Sequence, residues 1–324
     1  MYLLRGCGIV HKTGAAKAVE RPGGTSMSLK EKIIALKKEK DAFILAHFYM
    51  PLEVQEVADV VGDSLEMAKR AAAAEQKLII VCGVRFMAES AKILSPDKKV
   101  LIPVPDAGCP MADMITPEQV LELRKRFPDA AVMCYVNSSA DVKAVSDICC
   151  TSASALDQVK QLEAERILFI PDKNLGGYIG QQVPEKEMIL WPGCCPVHDA
   201  IKESDVIAAK ERMPDAPFLV HPECRASVRK YADFIGSTSA ILKYVAASEG
   251  KRFIIGTECE IERKLAKEFP DREFITVSGS FVCNDMKKVS LKDVYECLKD
   301  EKNEVLLPEE TIEGAKVSLG RMIK

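Results

Sequence analysis

The chain has 324 residues and 12 cysteines, yet no two of those cysteines are spaced Cys-x-x-Cys. That absence excludes the compact ligand clusters of zinc modules and ferredoxins, so any metal must be held between distant segments. No apolar run approaches the roughly 18 to 20 residues of a membrane span, and the N-terminus lacks the charge, apolar core and small-residue cleavage site of a signal peptide. A cytoplasmic protein with no membrane partner is expected. A net charge of −3, with both signs mixed along the chain, offers no basic stripe for nucleic acid or an anionic membrane surface. Small molecules are the expected partners. Histidine is scarce, at four residues, so each has weight. Most cysteines lie in or beside apolar runs of a large chain, which points to reduced thiols or metal ligands rather than a disulfide framework.

What is present is a repeat. Strand-like runs Phe43 to Tyr49, Ala131 to Asn137 and Phe218 to Glu223 open three units. Each leads through a helical stretch to a matched motif: Asp59-Val-Val-Gly-Asp-Ser64, Asp147-Ile-Cys-Cys-Thr-Ser152 and Asp233-Phe-Ile-Gly-Ser-Thr238. A third apolar run follows (Leu78 to Val81, Ile167 to Ile170, Phe253 to Ile255), and a fourth (Val100 to Val104, Met188 to Trp191, Phe274 to Val277) leads to Cys109, Cys195 and Cys283. Self-similarity at a fixed period signals architecture. Here the polar residues recur as strictly as the apolar ones, which points to a shared site.

The spacing predicts helices over Leu29 to Lys40, Glu118 to Phe127 and Ser204 to Met213. Residues 1–27 show no apolar periodicity and read as a disordered or artefactual extension, with Ser28 a helix cap just after it. The units then run 28–113, 114–200 and 201–287. Alternating apolar runs and helical patterns predict an α/β protein of three αβα domains, each with a small parallel four-stranded sheet, related by a pseudo-threefold axis. The tail, 288–324, is expected to pack on the first unit as a clasp. Ligands of such sheets sit beyond the carboxyl ends of the strands, where the recurring polar residues fall.

One cysteine per unit, each after the fourth strand, places three thiols around that axis and suits a 4Fe-4S cluster. Three cysteines leave one iron without a protein ligand, able to act as a Lewis acid on a substrate oxygen. Cys194 competes with Cys195, but Cys109-Pro-Met-Ala-Asp113 aligns with Cys195-Pro-Val-His-Asp199 through the second cysteine only. The remaining cysteines read as small core residues.

At the end of the first strand of each unit stand His47-Phe-Tyr49, Tyr135-Val-Asn137 and His221-Pro-Glu223. Residues i and i+2 of a strand share a face, so six polar side chains are expected to point into one cavity: His47, His221, Glu223 and Tyr49 as acid/base groups, Tyr135 and Asn137 as neutral hydrogen-bonding groups. Ser64, Ser152 and Thr238 precede helical stretches, as N-caps, as ligand contacts, or both. Three helix N-termini converging favour a substrate with several carboxylates or a phosphate. His198, in the Cys-Pro-Val-His loop, is expected near the cluster.

At these residues the chain resembles the quinolinate synthase family from Ser28 to the end. The likeness rests on Ala46-His47-Phe-Tyr49, Gly62-Asp63-Ser64-Leu65, Gly108-Cys109-Pro-Met-Ala112, Tyr135-Val-Asn-Ser138, Cys150-Thr-Ser-Ala153, Cys195-Pro-Val-His198, His221-Pro-Glu-Cys224, Gly236-Ser-Thr238, and Cys283 followed by Met286-Lys-Lys288. It implies a triangular assembly with the cluster at its centre, and condensation of iminoaspartate with dihydroxyacetone phosphate to quinolinate with loss of phosphate and two waters. It further implies that Cys109, Cys195 and Cys283 hold the cluster. His47, Ser64, Tyr135, Asn137, Ser152, His221, Glu223 and Thr238 would bind the iminoaspartate-derived substrate, with Tyr49 and Glu223 moving protons. Iminoaspartate would come from another enzyme, by transfer where the two associate. Phe48 stands where Asn is frequent, and Asp285 where Asn often precedes Met-Lys. Two other readings are another cluster-dependent hydro-lyase, which needs no phosphate site, and an iron-sulfur sensor, which leaves the paired polar residues unexplained.

Overall fold

The computed structural model describes residues 27–323; the reading of 1–26 as an extension lies outside them. Three parallel sheets form. The first comprises β1 (Ala42–His47), β2 (Val60–Gly62), β3 (Leu78–Cys82) and β4 (Lys99–Leu101). The second comprises β5 (Ala131–Tyr135), β6 (Ile148–Cys150), β7 (Arg166–Ile170) and β8 (Glu187–Leu190), and the third β9 (Phe218–Val220), β10 (Phe234–Ile235), β11 (Arg252–Gly256) and β12 (Glu273–Thr276). All three have the same strand order, 2-1-3-4 within the unit, with every pairing parallel. The α/β architecture with three small parallel sheets is as the repeat predicts.

The helices predicted ahead of each sheet form at Leu29–Glu39, Pro117–Arg126 and Glu203–Arg212, the first two opened by capping boxes at Ser28 and Thr116. In the third sheet the side-chain alternation of strands is plain: Phe218, Val220 and Ile254 join one apolar cluster, while Leu219, Phe253 and Ile255 join another on the opposite face. The first two units and the C-terminal tail share a single larger cluster.

The repeated aspartates belong to the fold. Asp59, Asp147 and Asp233 each accept, through a carboxylate oxygen, the backbone N–H of a residue fifteen positions earlier (Ile44, Val132 and Phe218, at 2.8, 2.7 and 2.8 Å). Each also donates its own N–H to that residue's carbonyl. The aspartate thus pins the start of the short edge strand to its neighbour, which two- or three-residue strands need because their own ladders are so brief.

The tail does more than clasp the first unit. Helix Leu291–Asp300 packs on Leu29–Glu39, and the segment after it adds to the first sheet through Ile102 N–H to the Asn303 carbonyl and Val305 N–H to the Val100 carbonyl. Helix Glu309–Ile323 then crosses to the second unit, where Thr311 bonds Asp141, Ser318 bonds the Lys143 carbonyl and Arg321 the Asp147 carbonyl. Its Gly314 lies against Ala144, where an added Cβ would sit 3.0 Å from the Ala144 carbonyl oxygen. The tail therefore ties the first unit to the second.

Candidate active site

The carboxyl ends of the three sheets meet around one cavity of about 350 Å³, within the range of small-molecule sites. Its wall includes His47, Tyr49, Ser64, Cys109, Tyr135, Asn137, Ser152, Cys195, His198, His221, Glu223, Thr238 and Cys283. Every site residue singled out from the sequence is there.

The cysteines arrive by one device used three times. The residue just beyond the third strand's exit donates its backbone N–H to the carbonyl two residues before the cysteine: Arg85 to Ala107 (2.8 Å), Lys173 to Gly193 (2.9 Å) and Cys259 to Phe281 (2.8 Å). Each cysteine carbonyl then accepts from a backbone N–H three or four residues on: Ala112, Asp199 and Lys287. Main-chain bonds thus fix the loop on both sides of the thiol. All three are free, as is Cys194, so no vicinal disulfide forms. Burial pushes the Cys109 thiol up to about 12 and also raises Cys195 and Cys283. Three half-buried free thiols in one cavity, one from each unit, fit the donor set of an iron-sulfur cluster. A Cys195 sulfur, a His198 ring nitrogen and a Glu223 carboxylate oxygen also lie within 4.8 Å of one another and could hold a metal ion.

The i, i+2 pairs meet the cavity by a route different from the one the sequence suggests. The strands end at His47, Tyr135 and Val220, so Tyr49, Asn137, His221 and Glu223 lie beyond them. In the first and third units the pair is instead formed by a turn in which the imidazole captures the backbone: Tyr49 N–H donates to His47 Nδ1 (3.1 Å) and Glu223 N–H to His221 Nδ1 (3.4 Å). That bond fixes the tautomer. Each neutral ring carries its proton on Nε2, and in His221 this faces Ser152 Oγ at 3.2 Å. Burial holds both His47 and His221 down to about 4, so both are neutral near pH 7.

The hydroxyl residues are not the caps. Asp63 and Ser237 cap helices Ser64–Ala73 and Thr238–Ala247, which leaves Ser64 and Thr238, the first helical residues, free to line the cavity. Ser152 lies in a turn ahead of helix Ala155–Gln161, whose cap is Ser154. Two helix N-termini therefore face the site directly, and the third is set back.

Glu223 lies at the centre. Tyr135 donates to its Oε1 at 2.6 Å, and His198 Nδ1 stands 2.8 Å from its Oε2 and 3.2 Å from Cys195 Sγ. Burial raises the Glu223 pKa, but the imidazoles of His198 and His221 and the bonds from His198 and Tyr135 outweigh it and hold the carboxylate down to about 2. Burial, reinforced by the Glu223 charge, raises both the Tyr49 and Tyr135 phenols well above 10, so both stay protonated.

Three residues escaped the sequence reading. Thr257, fully buried, bonds both the Tyr49 phenol and His198. Glu258, also fully buried, accepts the Cys283 N–H and pairs with Lys287 at 3.0 Å. Lys287 in turn bonds Glu260 (2.9 Å) and the Tyr49 carbonyl (2.6 Å), bracing the first unit's turn against the third unit and the Cys283 loop. At this point the repeat breaks, to Gly83-Val84, Pro171-Asp172 and Thr257-Glu258, so no periodicity marks it; Lys287 stands in a quoted motif but with no role attached. Phe48 packs on the third unit's apolar cluster, away from the cavity, and Asp285 is neutralised by Lys288 at 2.9 Å.

A family model described as quinolinate synthetase A protein matches residues 31–324. Among similar curated proteins, the quinolinate synthase of Clostridium kluyveri is 51% identical, with 91% of this chain and 97% of that protein covered. That of Alkaliphilus metalliredigens is 49% identical over 91% of this chain and 97% of its own length, and that of Aquifex aeolicus 49% identical over 91% and 94%. Among the described residues, no helix is long and apolar enough to cross a membrane. A family model matched over residues 31–324 and about half the residues shared with curated relatives over 91% of the chain lead to one conclusion: the chain belongs to the quinolinate synthase family of enzymes.

Proposed function

We propose that the chain condenses iminoaspartate with dihydroxyacetone phosphate to quinolinate, with loss of phosphate and two waters. The supporting observation is the single cavity to which three similar units each bring one free cysteine and one pair of polar residues. Cys109, Cys195 and Cys283 would hold a 4Fe-4S cluster, which when bound would supply a Lewis-acidic iron at a substrate oxygen. The units that carry them are taken as 28–113, with the tail, 114–200 and 201–287.

Forming an enamine or enediol needs a base, and expelling hydroxyl needs an acid. Glu223, ionised yet buried at 4% exposure, is a carboxylate able to take a proton. Tyr49, kept protonated by burial, holds one to give. His47 and His221 present Nε2–H to the cavity as neutral donors, suited to carboxylate or carbonyl oxygens. Ser64 and Thr238, at two helix N-termini, and Ser152, Tyr135 and Asn137 complete the hold on a multiply anionic substrate. The unstable imine would be handed over by the enzyme that makes it.

The test is anaerobic production with iron and sulfide, iron counting, and a quinolinate assay with iminoaspartate generated in place and dihydroxyacetone phosphate added. About four irons per chain and quinolinate are expected. Four irons with no quinolinate would overturn the reaction while keeping the cluster; no iron would overturn the three-cysteine site.

A further inference from the structure

Away from the cavity, on one face of the second sheet, two of the cysteines that read as core residues stand side by side. Cys134 and Cys149 are partners in the register of β5 and β6. Partners on adjacent strands lie about 4.8 Å apart and project from the same face, and a disulfide spans Cα separations of about 4.4 to 6.8 Å. Each thiol is within hydrogen-bonding reach of the other, and both are free and fully buried. Neither belongs to the cavity wall. Beside them lies Lys143, whose side chain is also fully buried. Its ammonium bonds Ser90 Oγ at 3.0 Å and the Phe86 carbonyl at 3.4 Å, both uncharged, and sits over the Phe86 ring. Burial presses the Lys143 pKa down, and Cys149, Glu89, Cys134 and Cys109 act against it. Burial raises Cys134, but the side chains of Cys149 and Ser138, the Lys143 charge and Ser146 outweigh it and bring this thiol below its usual value, while burial pushes Cys149 up. One thiol is thus readied as a nucleophile and the other keeps its proton. Helix Glu309–Ile323 covers them: the Cys149 thiol donates to Ser318 Oγ at 3.4 Å, and Ser318 bonds the Lys143 carbonyl at 2.8 Å.

We propose that Cys134 and Cys149 are an oxidisable dithiol, which hydrogen peroxide converts to a disulfide when helix Glu309–Ile323 lifts from the second sheet. The Cys134 sulfur attacks one peroxide oxygen and breaks the O–O bond; the departing hydroxide leaves as water with the Cys134 proton, and Cys134 becomes a sulfenic acid. The Cys149 sulfur then attacks the Cys134 sulfur, and the expelled hydroxide leaves as a second water with the Cys149 proton. Two thiols have lost two electrons and two protons, and one peroxide has become two waters. The cross-link also undoes the packing around it. Ser318 loses the proton it accepted from Cys149, and Lys143 loses two of the groups that act against its burial. The helix that ties the first unit to the second is loosened as a result. The opposing view is that the two cysteines are small core residues that never react.

The experiment treats the anaerobically reconstituted parent, Cys134→Ser and Cys149→Ser with a small excess of hydrogen peroxide. Each chain is then denatured in iodoacetamide and its disulfides are mapped by peptide mass spectrometry, while amide hydrogen exchange is followed over 309–323. A peptide linked through Cys134 and Cys149 is expected from the parent and should disappear with dithiothreitol. Exchange in the tail helix should rise by about tenfold or more on oxidation. Neither change should occur in the serine variants. Peroxide attacks a bound cluster in all three chains alike, so the comparison separates the dithiol from cluster loss. Where a serine variant does not accumulate folded, alanine takes its place. Recovery of Cys134 and Cys149 as alkylated thiols from parent chains whose Cys109, Cys195 and Cys283 have been oxidised would overturn the proposal. Tail exchange that rises as much in the serine variants as in the parent, or a cross-link that leaves it unchanged, would overturn the coupling of the pair to the helix.

Discussion

Tyr135 and Glu223 are 88 residues apart in the chain and 2.6 Å apart in the fold, the phenol donating to the carboxylate across the boundary between two repeats. A hydrogen bond to a buried charge is worth about 1.5 to 3 kcal/mol, and this one helps to keep Glu223 ionised where water cannot. Tyr135→Phe should therefore slow quinolinate formation by roughly 10- to 100-fold, in line with that energy, without changing the iron count. An unchanged rate would mean that the bond is only structural.

Glu223→Gln keeps the shape of the side chain and abolishes its charge. Iron content should stay at the parental level and product formation should disappear. Steady-state assay beside iron counting decides it: product at the normal rate removes Glu223 from the chemistry.

The cysteines divide three against the rest. Alanine at Cys109, Cys195 or Cys283 should leave chains with little bound iron after anaerobic reconstitution, whereas Cys194→Ala should bind as much as the parent. Cys194 is one residue from Cys195 yet is absent from the cavity wall. Iron retained by Cys195→Ala and lost from Cys194→Ala would reverse the alignment of the second unit.

Lys287→Met should destabilise the fold. It leaves Glu258, with no exposure, and Glu260, 2% exposed, without their common cation, and breaking a buried pair from one side costs about 3 to 5 kcal/mol. Urea unfolding should show the loss, and adding Glu258→Gln should recover part of it. Equal stability of Lys287→Met and the parent would show that the brace carries no load.

Acid should weaken the protein before its carboxylates titrate. His47 is held down to about 4, chiefly by burial; Asp63 and Glu223 act to raise it and Lys287 to lower it. An unfolded histidine has a pKa of about 6.5. Between those values the unfolded chain binds the proton and the folded one does not, so stability is full above about 6.5 and falls as pH drops toward 4. By pH 5 the loss is on the order of 2 kcal/mol from this residue. The urea midpoint should fall from pH 7 to pH 5, and fall less in His47→Gln; identical slopes would refute the assignment.

The architecture was legible because the repeat supplied three readings of each element, so a pattern too short to trust once, such as Val60–Gly62 or Phe234–Ile235, was supported by its counterparts. The site was legible for a related reason: equivalent positions meet on an axis, so matched polar residues imply a common cavity. The cause of the pairing was misread. His47 and Tyr49 face one space because an imidazole captures a backbone N–H past the strand end, not because strand residues alternate. Asp59, Asp147 and Asp233 recur for the fold, each pinning an edge strand and pairing with a cation of the helix ahead of its sheet. Thr257, Glu258 and Lys287 stayed hidden because they lie where the units differ, and contacts between units, to Tyr49 and His198, give Thr257 and Lys287 their place. The reach of the last helix was equally unreadable, since its apolar face suits either neighbour and Gly314 shows its purpose only beside Ala144.

The bonds from Arg85, Lys173 and Cys259 to the carbonyls ahead of the three cysteines run from main chain to main chain. They ask nothing of the side chains involved, and those side chains are in fact unlike: an arginine, a lysine and a cysteine. Duplication of a folded segment of this kind brings its thiol to the same height above the sheet without any further change. The side chains that the substrate touches are thus free to differ from unit to unit, while the same main-chain bonds hold each of the three cysteine loops.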